Sequence, residues 1–510
     1  MPLHATSSAT LRTKTGCLTC RKRRKKCDDA VRPSACDRCI KSGRACVWPT
    51  QDELLDRRHR RVSRTSKSPS PARSVESTDT IVQDADAAAS GTGTNRLSSF
   101  VCREIGFRSD LFSSTIFQSD LEVDCFRHFV NGFLPLLLLS TGHPGFQSEL
   151  VPELVEMLLG FDGLRNALLA CGASHLYFLS GNSQMNEAGL RYYARAVSGI
   201  NRTLTRIDWS RDDFNDAVLQ AIIFLYIHGI YNIDTNKDIG KHVAGATQLM
   251  KLRTTHSRRP PMPRPIHRIM WESILYQVFR QIANRPFAMD FQLDFEFCAK
   301  ALETLQSLTF PDASPTDNSP VIGYPLSLQK LIIDVGQLCK TPAKPAADLR
   351  RLSQEMQHWE SLILDEGHCL REESSWSTKT PSERARLFHQ HSTSLHILAG
   401  SLLLDWVMRS HGVSDIKSPL PPTGDTWQVR RGLAILRCAH ANEDWSRCYL
   451  GSWPTVIFGY AVDNSEDIAI IRRDLEQRHQ NLGSGEELLL LEELEYVWHL
   501  RGVTVHEVDQ

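Results

Sequence analysis

Six cysteines in residues 16–49 constrain this chain more than any other feature. Their spacing is C-x2-C-x6-C-x8-C-x2-C-x6-C, so one three-cysteine unit occurs twice, and Pro33 lies in the loop between the two units. A C-x2-C pair lets two sulfurs reach one metal ion from a single turn of chain, and zinc accepts thiolates in tetrahedral geometry. The spacing therefore predicts a zinc site. The six cysteines are Cys17, Cys20, Cys27, Cys36, Cys39 and Cys46.

The number of cysteines bears on the kind of site. Six thiolates are too many for one tetrahedral site and too few for two separate sites, but they suffice for two zinc ions if two sulfurs bridge. A single zinc site with two spare cysteines stays open as an alternative. A disulfide framework is disfavoured, because the first sixteen residues contain no apolar segment typical of a secretory signal.

The segment between the second and third cysteines is entirely basic. Residues 12–61 contain sixteen lysines and arginines against six acidic residues, whereas the rest of the chain contains forty-three against fifty-three. A basic head on an acidic body suits a chain in which only the head binds nucleic acid. The run is also compatible with a nuclear-import signal or a solvated surface. Its residues are Arg21, Lys22, Arg23, Arg24, Lys25 and Lys26.

The stretch CLTCRKRRKKC resembles the fungal binuclear zinc cluster, the DNA-binding module of a large class of fungal transcription factors. It follows the family pattern C-x2-C-R-x-R/K-K/R-x-K-C position by position. The resemblance implies that all six cysteines ligate two zinc ions, with Cys17 and Cys36 bridging, and that Pro33 is the family's loop proline.

The same resemblance implies how the module binds double-stranded DNA. The family's base-reading positions correspond to Arg23 and Arg24, which we expect to read a CGG-type triplet, since arginine bonds guanine O6 and N7 bidentately. The other basic side chains are expected to contact phosphates and fix the register. Those are Arg21, Lys22, Lys25 and Lys26.

Composition divides the chain into four segments. We expect residues 1–15 to be a disordered arm, 16–49 the zinc cluster, 50–99 a disordered linker and 100–510 a folded domain. Residues 51–62 offer only three apolar side chains, too few for the heptads of a coiled coil. Any homodimer would therefore form through the large domain.

Apolar residues recur at helical spacing throughout residues 100–510, and alternating strand patterns are nearly absent. The helix predicted near 214–230 is expected to begin at Asp212 and Asp213, because acidic residues are favourable in the first turn of a helix. The predicted fold class is a small zinc-nucleated α module followed by a large all-α regulatory domain. The predicted helical segments lie near 120–139, 149–180, 190–207, 214–230, 237–254, 264–284, 324–340, 346–366, 381–410, 428–450, 464–482 and 486–501.

The large domain resembles the helical regulatory region found behind binuclear clusters in one branch of the family. The segments that carry this resemblance are RHFV…LPLLL, LRNALLACGASHL, YYARAVSGIN, SWPTVIFGYAV and LEELEYVWHLR. It implies a regulatory and effector-responsive role, so a metabolite-gated receptor is the alternative function. We expect Trp498 to pack in the core, and the acidic end GEELLLLEELEYVW to be a packed helix rather than an activation surface.

The sequence lacks the motifs of common enzyme classes: there is no G-x-S-x-G, H-E-x-x-H, G-x4-G-K or G-x-G-x-x-G. His389, His391 and His396 share one predicted helix, but no carboxylate or cysteine joins them at ligand spacing. The eight cysteines beyond the cluster are scattered and are expected to be reduced. No apolar run reaches the roughly twenty residues that a membrane span needs.

The function we expect is a sequence-specific regulator of RNA polymerase II transcription that acts in the nucleus. Its expected partners are promoter DNA and the transcription machinery or coregulators, with no membrane association. Two zinc ions are the expected cofactors, and we expect no enzymatic activity. Binding to DNA should weaken steeply with salt through counterion release.

Overall fold

The computed structural model describes residues 19–20, 27, 36–46, 116–206, 216–256, 264–283, 294–341, 344–365, 379–409, 425–439 and 443–503. The chain divides into two compact units, residues 1–97 and residues 98–510. The predicted arm, the linker and the segment tested for a coiled coil lie outside the described residues. Helix α1 (Asp37–Lys41) of the first unit belongs to the metal site described below.

The regular secondary structure in the described residues of the second unit is all helical, with no β-strand, and the predicted fold class is confirmed. Short π and 3-10 segments lie at Phe129–Phe133, Asn236–Asp238 and Tyr449–Gly451. The helices are α2 (Asp120–His128), α3 (Leu134–Leu137), α4 (Gly145–Gly160), α5 (Asp162–Ser180), α6 (Ser183–Leu204), α7 (Asp216–Tyr231), α8 (Ile239–His256), α9 (Pro265–Ala283), α10 (Phe295–Leu305), α11 (Leu326–Lys340), α12 (Ala346–Asp365), α13 (Pro381–Arg409), α14 (Trp427–Ala439), α15 (Glu443–Ser446), α16 (Ser452–Ala461), α17 (Ser465–Leu482) and α18 (Glu486–Leu500).

Several helices begin where a polar side chain satisfies an amide of the first turn. Asn182, Asp294 and Asn464 precede α6, α10 and α17, and each accepts a hydrogen bond from an amide two or three residues further on. Such caps replace the partners that the first amides of a helix lack.

The periodic segment 149–180 forms two helices instead of one. The helix is interrupted at Phe161, which lies between α4 and α5 and has an extended backbone. Its ring packs over Gly163, where an added Cβ would collide with it. In the segment predicted at 428–450, the described residues form α14, α15 and a 3-10 turn. Periodicity identified the buried faces but not the break at Phe161, where an aromatic ring packs over a glycine two residues further on.

Helices α5 and α7 form the centre of the core, and nearly every side chain of α7 is buried. Helix α2 packs so closely on α5 that a Cβ on Gly172 would collide with the carbonyl oxygen of Cys125. Glycine at this position lets the two helix backbones touch.

A buried ion pair within α17 joins this helix to α15 and α16. The Arg478 guanidinium donates to the Asp474 carboxylate at 2.9 Å and to the carbonyl oxygen of Trp445 at 2.9 Å. Asp474 also accepts from the Trp445 indole at 3.0 Å and from the Thr455 hydroxyl at 2.8 Å. Because these partners satisfy both charges, the pair can be buried in the core.

Glu272 of α9 fixes the irregular segment that precedes α11. Its carboxylate accepts from the Arg268 guanidinium at 2.9 Å, the Ser319 hydroxyl at 2.9 Å, and the amides of Val321 at 3.0 Å and Ile322 at 3.1 Å. A single buried carboxylate therefore replaces the helical partners that this segment lacks.

The C-terminal helix α18 is packed as predicted. Trp498 is fully buried, and its indole donates to the carbonyl oxygen of Gly459 at 2.9 Å. His391 and His396 are core residues, and His389 is half-buried with its Nδ1 2.9 Å from the carbonyl oxygen of Gly323. No described helix combines the length and the apolar character required to cross a membrane.

Six of the eight cysteines outside the cluster lie in the described residues, and none of these forms a disulfide. Burial raises the pKa of the Cys125 and Cys298 thiols to about 12. Thiols with such pKa values are poor nucleophiles near neutral pH, which agrees with a structural role.

Candidate metal centre and nucleic-acid interface

Helix α1 brings two of the predicted metal ligands together. Cys36 caps the helix with an extended backbone, and its carbonyl oxygen accepts from the amides of Cys39 at 2.9 Å and Ile40 at 3.0 Å. This turn places the sulfurs of the second C-x2-C pair close to each other, as chelation of one metal by such a pair requires.

A glycine turn then sends the chain away from α1. Gly43 has a φ of 60°, and the amide of Arg44 donates to the carbonyl oxygen of Cys39 at 3.0 Å. This left-handed turn favours glycine, which has no Cβ to clash. Beyond it, the carbonyl oxygen of Ala45 accepts from the Thr19 hydroxyl at 2.9 Å, which joins the end of the second three-cysteine unit to the first.

Three buried sulfurs form the centre of the site. The sulfur atoms of Cys20, Cys36 and Cys39 all lie within 4.8 Å of one another. The Cys20 sulfur is 3.7 Å from that of Cys36 and 4.0 Å from that of Cys39. Thiolates bound tetrahedrally to one zinc ion at about 2.3 Å stand about 3.8 Å apart. The donor type and spacing therefore fit zinc.

Two further cysteines pack against these sulfurs. Cys27 and Cys46 are half-buried against the three, and the Cys46 sulfur accepts a hydrogen bond from the Cys36 amide at 3.3 Å. Amide–sulfur bonds of this kind orient thiolate ligands and disperse their charge. Five of the six predicted ligands thus converge, while Cys17 lies outside the described residues.

The predicted DNA-contacting residues, Arg21 to Lys26, also lie outside the described residues. The two cysteines that flank this run in the sequence, Cys20 and Cys27, belong to the sulfur cluster. The roles of the basic residues at bases and phosphates remain predictions.

The helical unit contains a cavity that sequence reasoning did not identify. Its volume is about 70 Å³, and it lies among α3, α4, α7, α9 and α18. Most of the wall is apolar, but the buried side chains of Gln220, Arg280 and Glu487 also face it. The one available signal was Gln220, a polar residue within the apolar run LQAIIFLYIHGIY.

A buried thiolate cluster with a basic run tethered to it, followed by a large helical unit, is typical of a zinc-binding regulator of transcription. Residues 15–54 match the family described as "Fungal Zn(2)-Cys(6) binuclear cluster domain". Residues 124–504 match the family described as "Fungal specific transcription factor domain". The chain therefore belongs to the fungal-specific transcription factors that carry a Zn(2)-Cys(6) cluster.

These matches confirm the predicted family and, with it, zinc binding, DNA binding and a role in transcription regulation. Both matched families are transcription-factor domains and not enzyme families. No curated protein and no solved structure matches the chain.

Proposed function

We propose that this protein is a nuclear regulator of RNA polymerase II transcription that binds CGG-type triplets in double-stranded DNA. The observation that carries the proposal is that both three-cysteine units contribute sulfurs to one cluster. Cys20 belongs to the first three-cysteine unit, Cys36 and Cys39 belong to the second, and their sulfurs lie together. A cluster shared by both units gives the basic run a rigid frame, which base recognition requires.

The cluster would hold two zinc ions through six cysteines, with Cys17 and Cys36 as bridging ligands. Cys36 is well placed for this role, since its sulfur is 3.7 Å from that of Cys20 and its amide bonds the sulfur of Cys46. The zinc ions would supply the structure of the module, since structural zinc contributes folding energy directly.

Within this frame, Arg23 and Arg24 would read guanines in the major groove, because a guanidinium matches O6 and N7 bidentately. The remaining basic residues of the run would contact phosphates and set the register. Those residues are Arg21, Lys22, Lys25 and Lys26.

The helical unit would tune activity through coregulators and, where DNA sites are paired, through a homodimer. We propose a zinc module at 16–49 and a regulatory domain at 100–510, joined by the segment 50–99. An effector-gated regulator is the second candidate function, and the cavity with buried polar side chains is the observation that favours it.

The experiment that tests the proposal is selection of bound DNA from a random pool by the full-length protein with zinc. We expect enrichment of CGG triplets. Paired triplets at fixed spacing would indicate a dimer, and a single triplet would indicate a monomer. Enrichment of an unrelated sequence, or of none by zinc-loaded protein, would contradict triplet recognition.

A further inference from the structure

The cavity of the helical unit has one side suited to an apolar body. This inference rests on the proposed regulatory role of that unit. Leucine and isoleucine side chains from α3, α4, α7 and α9 line most of the wall. They include Leu134, Leu150, Ile223, Ile227, Ile230 and Ile269.

The other side holds two buried acceptor atoms without a protein partner. Glu487 is 2% exposed, and its Oε1 accepts from the Ser452 hydroxyl at 3.0 Å, while its Oε2 has no hydrogen-bond partner. Gln220 is 3% exposed, and its Oε1 also has no partner. Buried acceptors left unsatisfied are costly, so each requires a donor.

The charges at this side are unequal. Arg280 forms an ion pair with Glu486, the neighbour of Glu487 at the start of α18. The guanidinium is thereby matched by one carboxylate, and Glu487 adds a second negative charge within the same buried region. An anionic ligand would be repelled here, whereas a cationic donor would be attracted.

Two hydroxyl groups around the cavity already have partners within the protein. Tyr449 donates to the carbonyl oxygen of Val321 at 2.8 Å, and Ser273 shares a hydrogen bond of 2.5 Å with Tyr226. Among the lining residues, the buried acceptor atoms without a partner are Gln220 Oε1 and Glu487 Oε2.

We propose that this cavity binds a small molecule with a compact apolar body and a protonated amine, which donates to Glu487 and Gln220. A hydroxyl group donates one hydrogen bond, whereas an ammonium group donates up to three and so can serve both acceptors. Binding of this ligand class would stabilise the junction of α18 with α7 and α9. The helical unit thereby gains an effector site.

The volume limits the size of the ligand. A water molecule needs roughly 10–15 Å³ of such space. A cavity of about 70 Å³ accordingly accommodates several waters or a ligand of a few non-hydrogen atoms. Ordered water alone is the competing occupant, since water also donates to orphan acceptors.

The test uses three probes that share one apolar body: 3-methylbutylamine, 3-methylbutanol and 3-methylbutanoate. Binding to the zinc-loaded full-length protein is measured by calorimetric titration and by the shift of the melting temperature. We expect the amine to raise the melting temperature and to bind at least tenfold more tightly than the alcohol or the carboxylate.

Variants assign the binding to this cavity. Glu487→Gln keeps the acceptor for Ser452 but removes the charge, and Gln220→Leu removes the other acceptor at similar size. Each should weaken amine binding at least tenfold. The matched control is Glu492→Gln, since Glu492 is exposed on the same helix, and this variant should bind like the parent. Melting without probe shows that each variant is folded.

Absence of amine binding, equal binding of the three probes, or unchanged binding in both folded variants would overturn the proposal and leave water as the occupant. The selection of bound DNA described above is carried out without amine, so the two proposals are tested separately. Enrichment of CGG triplets without amine binding would therefore reject this inference alone, and amine binding without triplet enrichment would reject the proposed DNA specificity alone.

Discussion

The two units of this protein achieve order by different means. In the described part of the zinc module, the buried core consists of Cys20, Cys36 and Cys39, while Ile40 on α1 is 61% exposed. The helical unit buries a large continuous set of apolar side chains instead, among them Trp453 and Trp498.

The difference shows where each unit can fail. A module this short buries too little apolar surface to fold alone, so its folding energy depends on metal ligation. The helical unit depends on burial and on a few paired charges inside its core. Each unit can therefore be perturbed while the other remains folded, and the predictions below use this separation.

Zinc removal should have the largest effect and should act on one unit. Structural zinc contributes roughly 10–16 kcal/mol of apparent folding energy in finger peptides, so a strong chelator should unfold the module and abolish DNA binding. The helical signal and its melting temperature should persist, as followed by circular dichroism. DNA binding that survives complete chelation would contradict the metal-dependent module.

Arg478→Met should have the largest effect on the helical unit. It leaves the buried Asp474 without its countercharge, although Trp445 and Thr455 still donate to it. Breaking a buried pair in this way should lower the free energy of unfolding by about 3–5 kcal/mol. Denaturant unfolding of the variant and the parent measures this loss.

The matched control for that variant is Arg191→Met, which removes an exposed pair with Glu187 of 3.4 Å. This variant should lower the free energy of unfolding by less than about 1 kcal/mol. Zinc content and the selected DNA sequence should be unchanged in both variants. Equal losses of stability in the two variants would show that the buried pair contributes no more to stability than the exposed pair.

Arg23→Ala should change DNA specificity without changing stability. If Arg23 bonds a guanine, the substitution should weaken the free energy of binding to the preferred DNA by about 1–3 kcal/mol and relax the preference at that base. Lys25→Ala, which would remove a phosphate contact, should weaken binding to all sequences alike and reduce the salt slope. Selection from a random pool separates the two, and an unchanged motif in Arg23→Ala would reject the base-reading assignment.

His228 should make the helical unit sensitive to acid. It is fully buried, with Nε2 2.9 Å from the Ser174 hydroxyl and Nδ1 3.0 Å from the Thr235 hydroxyl. Burial, with a smaller contribution from His242, lowers the pKa of His228 to about 3. The unfolded chain therefore binds the proton first, and stability falls as pH drops below about 6.5, by up to roughly 1.4 kcal/mol per pH unit.

The variant His228→Gln should reduce this slope between pH 6.5 and 5, measured by denaturant unfolding at each pH. The control is His358→Gln, since His358 is exposed and should not affect the slope. Identical slopes in the parent and His228→Gln would contradict the assignment of the acid sensitivity to His228.

The metal site was more predictable from sequence than the cavity, for a physical reason. Ligands at C-x2-C spacing are brought together by one turn of chain, as Cys36 and Cys39 are at α1. Gln220 and Glu487 are far apart in the chain and line the same cavity only because the fold brings α7 and α18 to it. No local pattern encodes that placement.

Helix positions were predictable where periodicity persists and uncertain where single contacts decide. The final helix and buried Trp498 followed from apolar spacing. The break at Phe161 did not, since it depends on the ring packing over Gly163. Asp474 and Arg478 have the i,i+4 spacing of a surface pair, and only tertiary packing shows that the pair is buried.

The most direct measurement for the central claim is the zinc content of the full-length protein by native mass spectrometry, with DNA binding measured on the same samples during zinc titration. The account predicts two zinc ions per chain and affinity for CGG-containing DNA that appears only as both ions bind. Full affinity in metal-free protein, or a single bound zinc at saturation, would contradict it.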